Sequence, residues 1–543
     1  MISTNWRDAI LSAFIPNVSK LTIVADPDDL LTEEKLSLEL KNRGFDLIDL
    51  NDPVEFRYAY ESRYRTLWDQ GKQTEQAVIL RSHSQEFATL PYDLLKAGRN
   101  LAFNLGDIFS NLSYSVIEKL DRSHLDELFD AKKNYSPKAL GDNATKDFIL
   151  LHVFEIAADR INNDVELLRI LLRLHYKNII IPSIFCVRLV QLLKDNNHFH
   201  DWPIDIIVSD DKAFFSFLQE RWPVFLDRLS HGNQIIRETP DYNLKYAGPN
   251  VLPFNHEDIR VYIDNLFVEG KLTPVRKSDI DIEDHSWIKS GIFETRNIDD
   301  KIRINGLLKI IENTIPTIES RYTEWLDFAM KWAKLSSLIH TTDQEVELER
   351  FRRIGSALNT NFTNWLTNHY TSLINLPPTN PAMLHHVPRC MARELEYGTN
   401  IKLALVVVDG LSLDQWVTIK QVLHQQNPNI IIRESATFAW IPTLTSVSRQ
   451  AVFSGKSPIY YPMSIDTTNK EINLWRQFWE DIGLSRQQIS YQRNLRDGNV
   501  NEVLDETLSL DRTKVIGLVV DKVDKIMHGM QLGADGMHNQ IKQ

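Results

Sequence analysis

The chain changes texture twice along its length. Near the start, short aliphatic runs alternate with amphipathic stretches. Leu21-Thr-Ile-Val-Ala25 runs into Asp26-Pro27-Asp28-Asp29, and a helical stretch follows to Leu40, with Gly44 as its stop. Further strand-like runs are Phe45–Ile48, Ala77–Leu80 and Asn100–Asn104. This spacing predicts a small three-layer α/β domain with a parallel sheet over residues 1–130. From there to 395 apolar residues recur at three- and four-residue spacing, as in Val165–Leu174, Glu324–Trp332 and the long stretch Gln344–Ile374. That periodicity predicts a mainly helical middle region. Closely spaced prolines in Leu376-Pro-Pro-Thr-Asn-Pro381 mark a boundary, because they forbid helix continuation. After Gly398 the α/β pattern returns, with strands expected near 402–408, 430–433 and 514–520.

Bulk properties narrow the function classes. The 543 residues exceed what one core supports, and 43% hydrophobic with 25% charged residues is an ordinary globular balance. A net charge of −12 argues against a broad basic surface for sequence-blind nucleic-acid binding, while a local basic groove stays open. The two cysteines, Cys186 and Cys390, make no disulfide framework, which points to a reducing cytoplasm. No run approaches the roughly 20 apolar residues of a membrane span, so no membrane contact is expected.

The chemistry gathers in the last part of the chain. Ile401-Lys-Leu-Ala-Leu-Val-Val-Val-Asp409-Gly410 and Val515-Ile-Gly-Leu-Val-Val-Asp521 each read as a buried parallel strand delivering an acid to its C-terminal edge, where ligands gather in open sheets. Between them, Pro442-Thr443-Leu-Thr445 leads into a helix closed by Gly455. Thr445 then sits at the first turn, where free N–H groups and the helix dipole favour an anion. Arg449, four residues on, shares that helix face and reaches toward phosphate oxygens. Asp524 and His528, spaced i, i+4, present a carboxylate and an imidazole to one side. Each feature alone also suits an N-cap, a solvated arginine or a surface ion pair. His385, His386 and Cys390 lack zinc spacing and read as ordinary linker residues, and His538 as a solvated helix residue.

Taken together, Phe438–Gly455 and the two flanking strand–acid segments resemble the PglZ family of the alkaline phosphatase superfamily, components of bacteriophage exclusion (BREX) defence systems. The resemblance covers about 396–543. It implies a doubly wound sheet with two divalent ions, zinc by donor type, with manganese or magnesium as alternatives. Asp409 would match the first metal-ligand aspartate, Thr445 the nucleophile that also touches metal, and Asp524 with His528 the Asp-x-x-x-His pair of the other ion. The substrate would be a phosphate ester or diester, and the partners other subunits of a defence complex. The family pattern also needs an Asp-His-Gly motif and a final histidine downstream of Asp524. Neither follows before Gln543, so the C-terminal domain is expected to be truncated and close to inactive. The expected fold class is therefore α/β multidomain: a receiver-like N-terminal domain, a helical middle and an incomplete alkaline-phosphatase-like sheet. Asp26, Asp28 and Asp29 suggest a receiver's acidic pocket, yet Arg81-Ser82-His83 stands where a phospho-accepting aspartate belongs. The alternative function is an interaction scaffold, with the N-terminal and helical regions binding partners and a vestigial phosphatase-like domain.

Overall fold

The computed structural model describes residues 5–15, 18–50, 53–72, 77–83, 87, 90–176, 179, 181–231, 242, 244–276, 286–293, 295–341, 345–374, 376, 381–397, 401–427, 430–495, 512–529, 537 and 541. They form two compact units. One comprises Met1–Asn51 and Ser62–Leu307, the other Asp52–Glu61 and Leu308–Gln543. None of the described helices is long and apolar enough to cross a membrane. His538 and the prolines at 377 and 378 lie outside the described residues.

In the first unit the four expected runs become β1 (Leu21–Ala25), β2 (Phe45–Asp49), β3 (Ala77–Ser82) and β4 (Arg99–Ala102), all parallel, in the order β2-β3-β1-β4. Every residue of β1 is buried, as a strand covered on both faces requires. The pairing register sets Arg81 of β3 beside Asp49 of β2 and Val24 of β1. The Arg81 side chain is 2% exposed. It binds Asp49 Oδ1 at 2.6 Å, Asp29, and Asp26 Oδ2 at 3.6 Å. The acids after β1 therefore enclose a guanidinium. Burial works against the Asp29 carboxylate, but His83 and Arg81 together hold it below the usual range. Helix α1 (Trp6–Leu11) is pinned to the same unit by Arg7, whose guanidinium grips both oxygens of Glu33 at 2.6 and 2.7 Å. One hydrophobic cluster runs from Trp6 through the sheet to Ile292, taking in the helices Asp164–Tyr176 and Asp211–His231. A two-residue parallel pair, β5 (Val275–Arg276) and β6 (Ile292–Phe293), lies at its end.

The second unit opens with two long helices where the periodicity placed them, α2 (Tyr322–Thr341) and α3 (Glu345–Leu373). Helices α4 (His386–Tyr397), α5 (Leu413–Gln426), α6 (Thr445–Ser454), α7 (Glu471–Asp481) and α8 (Lys522–Gly529) surround a parallel sheet of β7 (Leu403–Val408), β8 (Ile489–Leu495) and β9 (Val515–Val520). Its order is β7-β9-β8. Two expectations need correction. Residues 430–433 do not form a strand, despite three consecutive isoleucines. A strand needs a neighbour for its backbone groups; among the described residues no strand pairs with this run, and Ile431 is 76% exposed. Nor is β7 buried on both faces. Ala404 and Val406 alternate with better-covered neighbours, and Val406 is 51% exposed. As the edge strand, β7 buries one face toward Phe453, Trp475, Val515 and Val519 and shows the other.

The β7–β9 register pairs Val408 with Val520, and Asp409 N–H donates to Val520 O at 2.9 Å. Both strands thus end in step, with Asp409 and Asp521 at one edge. Gly410 turns at φ 77°, and a Cβ there would stand 3.0 Å from Asp524 Cα. Only glycine lets the two strand ends approach so closely.

Two outcomes follow. Gly410→Ala should cost at least about 1–2 kcal/mol, the left-handed penalty alone, read as a lower denaturation midpoint of the full chain. Arg81→Met leaves three acids without their shared cation and should cost about 3–5 kcal/mol at pH 7. Asp29's folded pKa is depressed, so its stabilisation is complete above the unfolded value of about 4 and fades as pH falls below it. The gap between Arg81→Met and the native chain in urea denaturation should therefore narrow below about pH 4.

Candidate functional site

The site lies at the carboxyl edge of β7, where the aliphatic strand gives way to Asp409. Helix α6 begins at Thr445, preceded by Leu444, whose side chain cannot accept a hydrogen bond from the first turn. No N-cap side chain competes there for the helix's leading N–H groups. The helix ends at Gly455, φ 65°, and Arg389 of α4 donates from Nε to the Gly455 carbonyl at 2.8 Å. A cation at that end opposes the negative pole of the helix. Phe453 and Val452 of α6 bury against Trp475 and Val515, which fixes the helix on the sheet.

Thr445 is exposed, and its Oγ1 faces Asp409 Oδ1 at 3.5 Å. Arg449, one turn later, donates from Nη1 to Asp409 Oδ2 at 3.0 Å and from Nη2 to Glu471 Oε2 at 2.6 Å. Tyr491 of β8 donates its hydroxyl to the same Glu471 oxygen at 2.6 Å. Burial works against the charged guanidinium, but Glu471 and then Asp409 outweigh it and raise its pKa. The Tyr491 phenol is likewise raised, first by burial and then by Glu471. Asp409, Thr445 and Arg449 are therefore brought together, with Arg449 ion-paired to acids.

Asp524 and His528 meet on α8, Oδ1 to Nε2 at 3.6 Å, with the imidazole 74% exposed. Asp524 lies close to the Asp409 strand end, where a Cβ on Gly410 would stand 3.0 Å from its Cα. Asp521 pairs with Lys525 one helical turn away. Among the described residues no group of three or more histidine, cysteine, aspartate or glutamate side chains is placed to hold one metal ion. The donors that do meet are Asp409 with Thr445 and Asp524 with His528. Hard oxygens and an imidazole suit zinc, manganese or magnesium in kind, so the residues fit a divalent ion in donor chemistry, two at a time.

Sequence reasoning missed several residues here. Glu471 starts an amphipathic helix and gives no sign of being wholly buried. Tyr491 sits in a polar-looking strand. His385 and His386 are not linker residues, for both are buried. Each Nε2 lies near the Ile374 carbonyl, at 3.0 and 3.1 Å, while His386 Nδ1 accepts from the N–H groups of Ala382 and Met383. Burial, then the neighbouring His386, keeps His385 well below the usual imidazole range. The pair anchors the segment before Thr445 from one side: Phe438 N–H donates to Ala382 O, and the Trp440 ring lies 5.2 Å from that of His385. From the other side α3 supplies Phe362 and Trp365, stacked on Phe438, and Tyr370, whose hydroxyl accepts from Ile441 N–H at 2.8 Å. The burial of these histidines beside a proline-rich boundary has no local sequence signal.

No curated protein matches the chain. Residues 387–543, which hold every one of the sequence-predicted site residues, match the family model PglZ, described as the BREX system PglZ alkaline phosphatase-like domain. By that match the C-terminal part of the chain carries a PglZ alkaline phosphatase-like domain.

Proposed function

We propose that the PglZ-like domain is a metal-dependent phosphohydrolase acting on phosphate monoesters or diesters within a phage-defence system, with Thr445 as its nucleophile. The observation that carries this reading is the exposed Thr445 hydroxyl at the start of α6, 3.5 Å from Asp409 Oδ1 at a strand's carboxyl end. In this reading the Thr445 Oγ attacks phosphorus in line, its proton leaves toward Asp409, and the ester oxygen departs. The resulting phosphothreonine is then hydrolysed by water. The uncapped first turn of α6 supplies N–H donors to the phosphoryl oxygens as charge builds on them. Asp409 with Thr445, and Asp524 with His528, are the residues that would hold divalent ions, zinc or alternatively manganese or magnesium. When bound, such ions lower the pKa of the attacking group and neutralise charge on the phosphoryl oxygens. Other subunits of the defence complex are the partners this reading implies.

A second reading is favoured by one specific observation. Arg449 already neutralises Asp409, as it would in a vestigial domain retained as an interaction scaffold.

Hydrolysis of an aryl phosphate and an aryl phosphodiester by the full chain with Zn²⁺ or Mn²⁺ separates the two. The enzyme reading expects ion-dependent turnover that falls by about a thousandfold or more in Thr445→Ala and is partly retained in Thr445→Ser. Absence of turnover with either ion, in a chain with native circular dichroism, supports the scaffold.

A further inference from the structure

Glu471 has no part in the reaction above, yet it is the most deeply buried acid around Asp409. Its side chain is 1% exposed. Oε2 takes two hydrogen bonds, from Arg449 Nη2 and from the Tyr491 hydroxyl, while Oε1 is buried with no hydrogen-bond partner among the described residues. A carboxylate removed from water costs several kcal/mol unless a cation meets it, so this environment demands the guanidinium. Arg449 has a second partner of a different kind. Asp409, at the mouth, takes one hydrogen bond from Nη1, at 3.0 Å. Arg449 Nε is buried and makes no hydrogen bond among the described residues.

The grip is thus unequal. One hand of the guanidinium is held by a dry acid that also binds Tyr491. The other holds an acid whose remaining oxygen faces the exposed Thr445 hydroxyl. In charge terms Arg449 is a monovalent cation standing beside Asp409, on the side opposite Thr445.

We propose that Arg449, anchored by Glu471 and Tyr491, is a built-in counter-ion of Asp409 that sets how tightly the site takes a divalent cation. This rests on the metal-dependent reading above and concerns the regulation of that same site. Arg449 keeps Asp409 neutralised while no ion is present. It gives up Asp409 more readily than Glu471, because the Asp409 bond is longer and nearer solvent. Once displaced it stays tethered through Nη2, and its freed Nη1–H groups become donors for an anionic substrate oxygen. The positive charge of Arg449 is then offered to a phosphate only after a cation has replaced it, which orders the two binding events. Glu471 and Tyr491 are positioning residues in this arrangement, since they act through Arg449.

The test is Mn²⁺ titration by calorimetry of the full chain, with circular dichroism as the check on folding. Arg449→Gln removes the competing charge and should tighten Mn²⁺ binding about tenfold, the scale of one partly screened charge–charge interaction. Glu471→Gln leaves Asp409 as the only acid gripping Arg449 and should weaken binding about tenfold. The double variant removes both charges of the buried pair and leaves neither one unpaired, so it guards against a single variant that fails to fold. It should bind more tightly than the native chain and less tightly than Arg449→Gln. A purely structural role for the pair would weaken binding in all three. If Mn²⁺ binds the native chain, but neither Arg449→Gln nor the double variant binds it more tightly, the counter-ion role is overturned and the metal-dependent reading survives. If none of the four proteins binds Mn²⁺, both are overturned.

Discussion

The pairing of β7 with β9 is the constraint on which the second unit's chemistry depends. Six residue pairs in parallel register carry Val408 to Val520, and everything at the site follows from both strands stopping together. Asp409 emerges beside Asp521, Gly410 folds back on Asp524, and α6 lies across the sheet with Phe453 beneath it. A one-residue slip would turn every strand side chain to the opposite face and part Asp409 from the helix that bears Thr445 and Arg449. The helical segments on either side of the proline-rich boundary serve the same end. Helix α3 and the buried His385–His386 pair hold the 438–441 segment from two directions. The Thr445 hydroxyl is therefore placed by packing well away from its own helix.

The two units share a device. In the first, Arg81 lies on a strand and is enclosed by Asp26, Asp29 and Asp49 at the carboxyl edge of a parallel sheet. In the second, Arg449 lies on a helix between Asp409 and Glu471 at another such edge. Parallel strands converge their carbonyl ends and tend to gather acids there, and a single planar guanidinium satisfies several at once. The difference is access. Arg81 is shut in, whereas Arg449 has one partner at a mouth.

Much of this was legible in the chain, and for identifiable reasons. β7 is an unbroken aliphatic run, β1 and β9 are broken only by Thr22 and Gly517, and all three end in an aspartate; α3 keeps its period over many turns, and Thr445 follows a proline just where a helix starts. What escaped has equally physical causes. β8 alternates as Ile-Ser-Tyr-Gln-Arg-Asn-Leu, so its polar residues masked a strand whose Tyr491 reaches inward. The isoleucines at 430–432 satisfied every local preference for a strand and lacked only a neighbour, a non-local fact. Glu471 opens a helix as surface glutamates do, and its buried carboxylate is met by Arg449 and Tyr491, which the chain brings from two other elements. Composition is silent on such meetings.

The separation of β7 and β9 along the chain has a consequence for how the domain is made. Their pairing closes a loop on the order of a hundred residues, which places it among the slow, non-local steps of folding. Until β9 arrives, β7 is an aliphatic segment with unsatisfied backbone on both sides and no sheet to join. Assembly of the site therefore waits on a segment made well after β7 has been synthesised. The half-made domain carries a sticky strand long before it carries a Thr445 hydroxyl in register with Asp409.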